Sequence, residues 1–233
     1  YTQDNSNIHR AVHALAARAT EKYEATRDVV QTFINAKQRE EIVFTKSTTE
    51  AINLVAQSYA RSQLKAGDEV IVSEMEHHAN LVPWQMVCAQ TGAIIKAIPV
   101  LDDGSLDLNA YTQLLNSKTK IVAITQVSNV LGTVKPIAQM VQQAHEVGAV
   151  VLVDGAQGIV HAPVDVQALD CDFYVFSAHK LYAPTGVGVL YGKLALLTAM
   201  PPWMGGGDMI KTVSLTSSTW NDAPYKFEAG TPP

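Results

Sequence analysis

Apolar residues recur at three- and four-residue spacing from Ile8 through Val12, Leu15, Ala19, Tyr23, Val30 and Phe33. This is the stripe of a long amphipathic helix running to about Ala36. The period then changes. Glu41-Ile42-Val43-Phe44 is an apolar run of strand length, and Ser47-Thr48-Thr49-Glu50 ahead of Ala51-Ile52-Asn53-Leu54 has the spacing of a capping box that opens a helix. Glu69-Val70-Ile71-Val72 follows the turn Gly67-Asp68, a helix covers roughly Leu81 to Gln90, and Ala93-Ile94-Ile95-Lys96-Ala97-Ile98 follows Gly92.

Two further runs, Ile121-Val122-Ala123-Ile124 and Val150-Val151-Leu152-Val153, are continuously apolar, as strands covered on both faces are. Between them Pro136 opens a helix bearing Ile137, Met140, Val141, Ala144 and Val147, which Gly148 stops. Phe173-Tyr174-Val175-Phe176 is one more apolar strand. Strands separated by helices imply right-handed crossovers. The expected fold is therefore α/β, a three-layer sandwich around a mostly parallel central sheet, with one domain spanning residues 1–233. Ligands of such sheets bind beyond the carboxyl ends of the strands, so the residues just after each apolar run are the ones to inspect.

Composition narrows the function. With 47% apolar and 17% charged residues and a net charge of -5, the chain belongs among globular proteins with a core of their own. It has no Lys/Arg cluster, which disfavours nucleic acid or an anionic membrane as the main partner. Cys88 and Cys171 are far apart and outside any metal-ligand spacing, which suits a reducing compartment and two small buried hydrophobes. The polar amino terminus has no signal-peptide pattern and no run is long enough to span a bilayer, so a cytoplasmic location is expected. A first residue of Tyr, not Met, suggests a cropped or processed chain.

Asp154 ends one strand and is followed by Gly155-Ala156-Gln157, small residues that let a flat ligand approach the backbone. Alone, it reads equally as a helix cap. Lys180 lies past another strand in Ser177-Ala178-His179-Lys180; alone, it reads as a solvated charge. Together they supply what pyridoxal phosphate uses: an amine that takes the aldehyde, a carboxylate for the ring nitrogen, and hydroxyl or imidazole groups for the phosphate. Ser47-Thr48-Thr49-Glu50 is an ordinary cap or, beside such a cofactor, a helix amino end that receives phosphate. His77 and His78 follow a strand and could lie on a ring; zinc is the competing idea, but HExxH and a third ligand are missing. Gly205-Gly206-Gly207 follows Pro201-Pro202-Trp203 and not a strand, so it is no dinucleotide fingerprint.

Taken together, Ser177-Ala178-His179-Lys180-Leu181-Tyr182, Glu76-His77-His78-Ala79-Asn80, Asp154-Gly155-Ala156-Gln157 and Phe227-Glu228-Ala229-Gly230-Thr231-Pro232 resemble the SUF-type, or group II, cysteine desulfurases. These are fold-type I pyridoxal-phosphate enzymes of aminotransferase class V. The resemblance implies that Lys180 carries the cofactor and is the base at the substrate Cα, that Asp154 meets the pyridine nitrogen, and that Gln157 contacts the ring oxygen. It implies His77 stacked on the ring and moving protons, and Thr49, Ser177 and His179 on the phosphate. Asn129 approaches the ring oxygen and the substrate carboxylate, and Thr231 reaches the phosphate of the other subunit of a homodimer.

The implied reaction takes sulfur from L-cysteine, gives alanine, and passes the sulfur as a persulfide towards an acceptor protein for iron–sulfur cluster assembly. Selenocysteine lyase activity, another class V reaction such as epimerisation or transamination, and a non-catalytic cofactor-binding module are the alternatives. Family members continue beyond the position of Pro233 into a small domain with the acceptor cysteine and a substrate-binding arginine, and neither Cys88 nor Cys171 stands in a matching context. The expectation is that these 233 residues bind cofactor without turnover.

Overall fold

The computed structural model describes residues 4–9 and 11–232. Helix α1 (Ala14–Phe33) is shorter than the apolar stripe suggests, and the stripe is not its buried face. Val12 and Leu15 are exposed, Phe33 is half exposed, and the fully buried positions are Ala16 and Arg27. A cation, not an apolar seam, fixes this helix. Arg27 donates to Ile42 O and, through both terminal nitrogens, to the two carboxylate oxygens of Glu228.

Strand β1 (Ile42–Thr45) leads into α2 (Thr48–Leu54), which continues as a π-helical stretch, Val55–Ala60. The expected capping box is half formed. Ser47 accepts from the Glu50 N–H, whereas the Glu50 carboxylate takes the N–H of Lys46 in place of that of Ser47. Next come β2 (Glu69–Ser73), α3 (Val82–Thr91), β3 (Ile94–Ile98), α4 (Leu108–Leu114) and β4 (Thr119–Thr125). Helix α5 (Ile137–Glu146), capped by Pro136, precedes β5 (Val150–Asp154), and β6 (Phe173–Ser177) and β7 (Gly188–Gly192) complete the main sheet. A hairpin of β8 (Ile210–Val213) and β9 (Ser218–Trp220) stands apart from it.

The sheet order is β1-β7-β6-β5-β4-β2-β3. Only β7 runs against its neighbours. Successive residues point to opposite faces, and both faces are filled. Ile71, Val122, Val151, Val153 and Tyr174 belong to the core under α5, with Met140, Val141 and Ala144. Val70, Ile121, Ala123, Leu152 and Val175 belong to the other core, with Ala51, Ile52 and Trp84. This is the three-layer α/β arrangement expected from the uninterrupted apolar runs. Strands β2, β4, β5 and β6 are parallel, so their carboxyl ends, at Ser73, Thr125, Asp154 and Ser177, share one edge. No helix among the described residues is long and apolar enough to cross a membrane.

Candidate active site

Asp154 is the last residue of β5 and only 4% exposed. Its Oδ1 accepts the Ala156 N–H at 2.9 Å, the one hydrogen bond to its side chain among the described residues. Burial pushes the carboxyl up from the usual aspartate range, while that N–H and the charges of Lys180, His77 and Lys135 pull it down. Lys180 and Asp154 therefore sit within each other's field, at the ends of adjacent strands β6 and β5. Lys180 lies in the short 3-10 turn Ala178–Leu181, half-buried, and no hydrogen bond or ion pair among the described residues engages its amine.

The corner after Asp154 requires glycine for a steric reason. A Cβ on Gly155 would lie 2.0 Å from Cζ of Tyr174, and one on Gly158 would lie 2.1 Å from Oε1 of Gln126. Tyr174 donates its hydroxyl to that same Gln126 oxygen at 2.6 Å, so the loop rests on a hydrogen-bonded pair. The result is a flat, backbone-lined ledge next to a carboxylate.

Ser177, at the end of β6, is buried. Its Oγ accepts the Thr48 N–H and lies 2.8 Å from the Thr48 hydroxyl. This bond ties the first turn of α2 to the strand that precedes Lys180. Gly188 completes the junction, since a Cβ there would fall 2.5 Å from the Ser47 carbonyl carbon. Thr49, one residue on, is exposed, as is His179. The amino end of α2 thus stands beside the Lys180 turn, as a phosphate-binding role requires, although Ser177 already has a partner in Thr48.

His77 is exposed on the same edge, with its Nδ1 accepting the Ala79 N–H at 3.1 Å. Asn129 and Gln157 come together in the lining of a cavity of roughly 560 Å³ with Ser128 and His161. Thr231 lies elsewhere: it lines a cavity of roughly 690 Å³ with Lys46, Glu50, Trp203 and Glu228. Neither cavity is lined by Asp154, Lys180 or His77, which lie on the open strand-end edge between the layers. The structure gathers Asp154, Lys180 and His77, and leaves Thr231 apart.

Two residues at this edge escaped the sequence reading. Glu76 is buried and accepts from the Ser73 hydroxyl, the Thr125 N–H and the Asn80 amide at 2.5, 3.0 and 2.7 Å, and Asn80 in turn accepts from Trp84 Nε1. Burial pushes its carboxyl up to about 7, helped by the Asp154 charge and opposed by those three bonds. Lys135 is buried too, and burial pushes its amine down to about 8 against the pull of Glu76 and Asp154. Its alternation with exposed Val134 and Pro136 was the available signal, but a lysine in a turn reads as solvated.

A family model described as aminotransferase class-V matches residues 1–233. A curated cysteine desulfurase of Escherichia coli O7:K1 is 58% identical over 233 residues, covering 100% of this chain and 57% of the relative. Among solved structures, the cysteine desulfurase CsdA (S-sulfonic acid) of Escherichia coli superposes with a TM-score of 0.92 at 52% identity, over 100% of this chain and 58% of that one. The apo cysteine desulfurase of Thermococcus onnurineus NA1 gives 0.93 at 40% identity, over 98% and 56%. The chain spans somewhat more than half the length of the relatives it matches.

Proposed function

The chain belongs to the aminotransferase class-V family, and from that premise we propose that the whole protein is a pyridoxal-phosphate-dependent cysteine desulfurase. The observation that carries the reading is the pairing, at adjacent parallel strand ends, of a buried carboxylate with an amine that has no other partner. The donor set suits the cofactor. The Gly155 and Gly158 ledge admits a flat ring, Asp154 is a desolvated anion for a pyridine nitrogen, and the α2 amino end lies beside the amine.

In this reading Lys180 holds the cofactor through its amine and returns as the base that moves the substrate Cα proton. A positioned base of this kind is worth roughly 10²–10⁴ in rate. When bound, the cofactor supplies an electron sink for the charge left at Cα. Asp154 keeps the ring nitrogen charged, His77 covers the ring and passes protons, and Gln157 and Asn129 address the ring oxygen and the substrate carboxylate. Thr49, Ser177 and His179 hold the phosphate, and Thr231 reaches across a homodimer to the other site. The net reaction converts L-cysteine and an acceptor thiol into alanine and a persulfide, which serves a sulfur-acceptor protein and iron–sulfur cluster assembly.

The test is made on the full-length protein. A borohydride-sensitive yellow chromophore and equimolar alanine and persulfide or sulfide from L-cysteine are expected, with both lost in Lys180→Ala. A colourless protein that cannot be reconstituted with pyridoxal phosphate removes the cofactor reading. A coloured protein inert towards cysteine but active on another amino acid removes the desulfurase reading.

A further inference from the structure

The strand-end edge holds one cation that the proposed chemistry does not use. Lys135 is 5% exposed, and its Nζ has no hydrogen-bond partner in a protein whose other buried polar side-chain atoms, Trp203 Nε1 excepted, are satisfied among the described residues. An unpaired buried ammonium is costly unless fixed charges compensate it. The charges that act on it are those of Glu76 and Asp154.

Backbone hydrogen bonds explain the meeting. The Lys135 N–H donates to Gln126 O at 3.0 Å, and the Gln126 N–H donates to Asp154 O at 2.9 Å. One residue earlier, the Thr125 N–H donates to the Glu76 carboxylate at 3.0 Å. A short antiparallel return, bridged at Val127 and Val134, thus folds Lys135 back onto the end of β4, between the strand that carries Asp154 and the loop that carries Glu76. Three buried charged groups from three segments converge on two consecutive residues.

We propose that Lys135 is a positioning residue, whose ammonium forms a buried triad with Asp154 and Glu76 and keeps Asp154 an anion at the floor of the site. This rests on the reading of Asp154 as the ring-nitrogen partner. Two carboxyls in one desolvated region raise each other, as the mutual effect of Glu76 and Asp154 shows. The other positive groups acting on Asp154, Lys180 and His77, lie towards solvent, and Lys180 is committed to the cofactor in the proposed chemistry. Lys135 is the permanent counter-charge from within. Without it, Asp154 and Glu76 compete for the remaining positive field, and a proton moves onto Asp154.

The test is a carboxyl ¹³C NMR titration of the full-length protein without added cofactor, with Asp154→Asn identifying the resonance. Lys135→Met and Lys135→Gln are expected to raise the Asp154 midpoint by about 1 pH unit or more, and Lys135→Arg is expected to restore it. Lys135→Gln stays polar and covers the case in which Lys135→Met does not fold. An Asp154 midpoint that does not move in either neutral variant overturns the proposal. Pyridoxal phosphate affinity, read by fluorescence quenching at pH 7, is expected to fall about tenfold in the neutral variants, one pH unit being one decade; an unchanged affinity overturns the positioning role. If the wild type binds no pyridoxal phosphate, the functional reading fails while the titration still decides the triad.

Discussion

Replacing Arg27 by methionine removes the charge at the centre of the most connected polar site in the protein while keeping an apolar stem of similar length. The guanidinium is almost completely buried and donates to Glu228 at 2.8 and 2.9 Å and to Ile42 O at 2.6 Å. It also lies over the Phe44 ring, 4.6 Å from its centroid. Glu228, in turn, accepts from the Phe44 N–H and the Tyr23 hydroxyl, so the variant leaves a largely desolvated carboxylate with neutral donors only. Removing one partner of a buried pair costs about 3–5 kcal/mol. At about 2–4 °C per kcal/mol for a domain of this size, the expected loss in Tm is roughly 6–20 °C.

Urea melts of wild type, Arg27→Met, Glu228→Gln and the double variant measure the coupling. Much of the single-variant cost is the stranded partner, so the double variant is expected to lose less than the two singles together, by about 0.5–3 kcal/mol. Arg27→Lys is not expected to rescue, because an ammonium cannot make the two parallel bonds to Glu228. A loss below about 1 kcal/mol in Arg27→Met, or strict additivity, would refute the argument that this pair joins α1 to the segment 225–231.

Two further outcomes follow from the site. Gly155→Ala drives a Cβ to within 2.0–2.2 Å of the Tyr174 ring and is expected to cost about 1–3 kcal/mol; adding Tyr174→Leu should recover part of it, and a melt of Gly155→Ala matching wild type would show that the ledge yields. Glu76 has a folded-state pKa raised to about 7 from 4.5, so the folded state binds the extra proton between those values and stability falls as pH rises through that window. The slope amounts to on the order of 3 kcal/mol. It should flatten in Glu76→Gln followed by urea melts from pH 5 to 8; an unchanged slope places the titration on another group.

The parallel layers were readable because β4, β5 and β6 are buried on both faces and carry no polar interruption, and the helix between β4 and β5 presents Ile137, Met140, Val141 and Ala144 as its periodicity requires. Strand β7 escaped notice because Gly188-Val189-Leu190-Tyr191-Gly192 follows a loop with no helix before it, and antiparallel return needs none. The stripe of α1 misled for a physical reason. Apolar spacing reports which face is apolar, whereas the helix is held by Arg27 against Glu228, 201 residues away, a contact that leaves no local periodicity.

The same distinction separates the legible half of the active site from the hidden half. Asp154 and Lys180 stand directly after apolar runs, so a rule about strand ends finds them. Glu76 and Lys135 enter from a loop and a return hairpin, and each became buried because its backbone neighbours, Thr125 and Gln126, end a strand whose side chains are already committed to the core. A sheet edge that must present Asp154 to a ligand therefore draws its compensating charges from segments outside the sheet. The residues that set the charge of the floor are consequently the ones whose position the hydrophobic pattern could not announce.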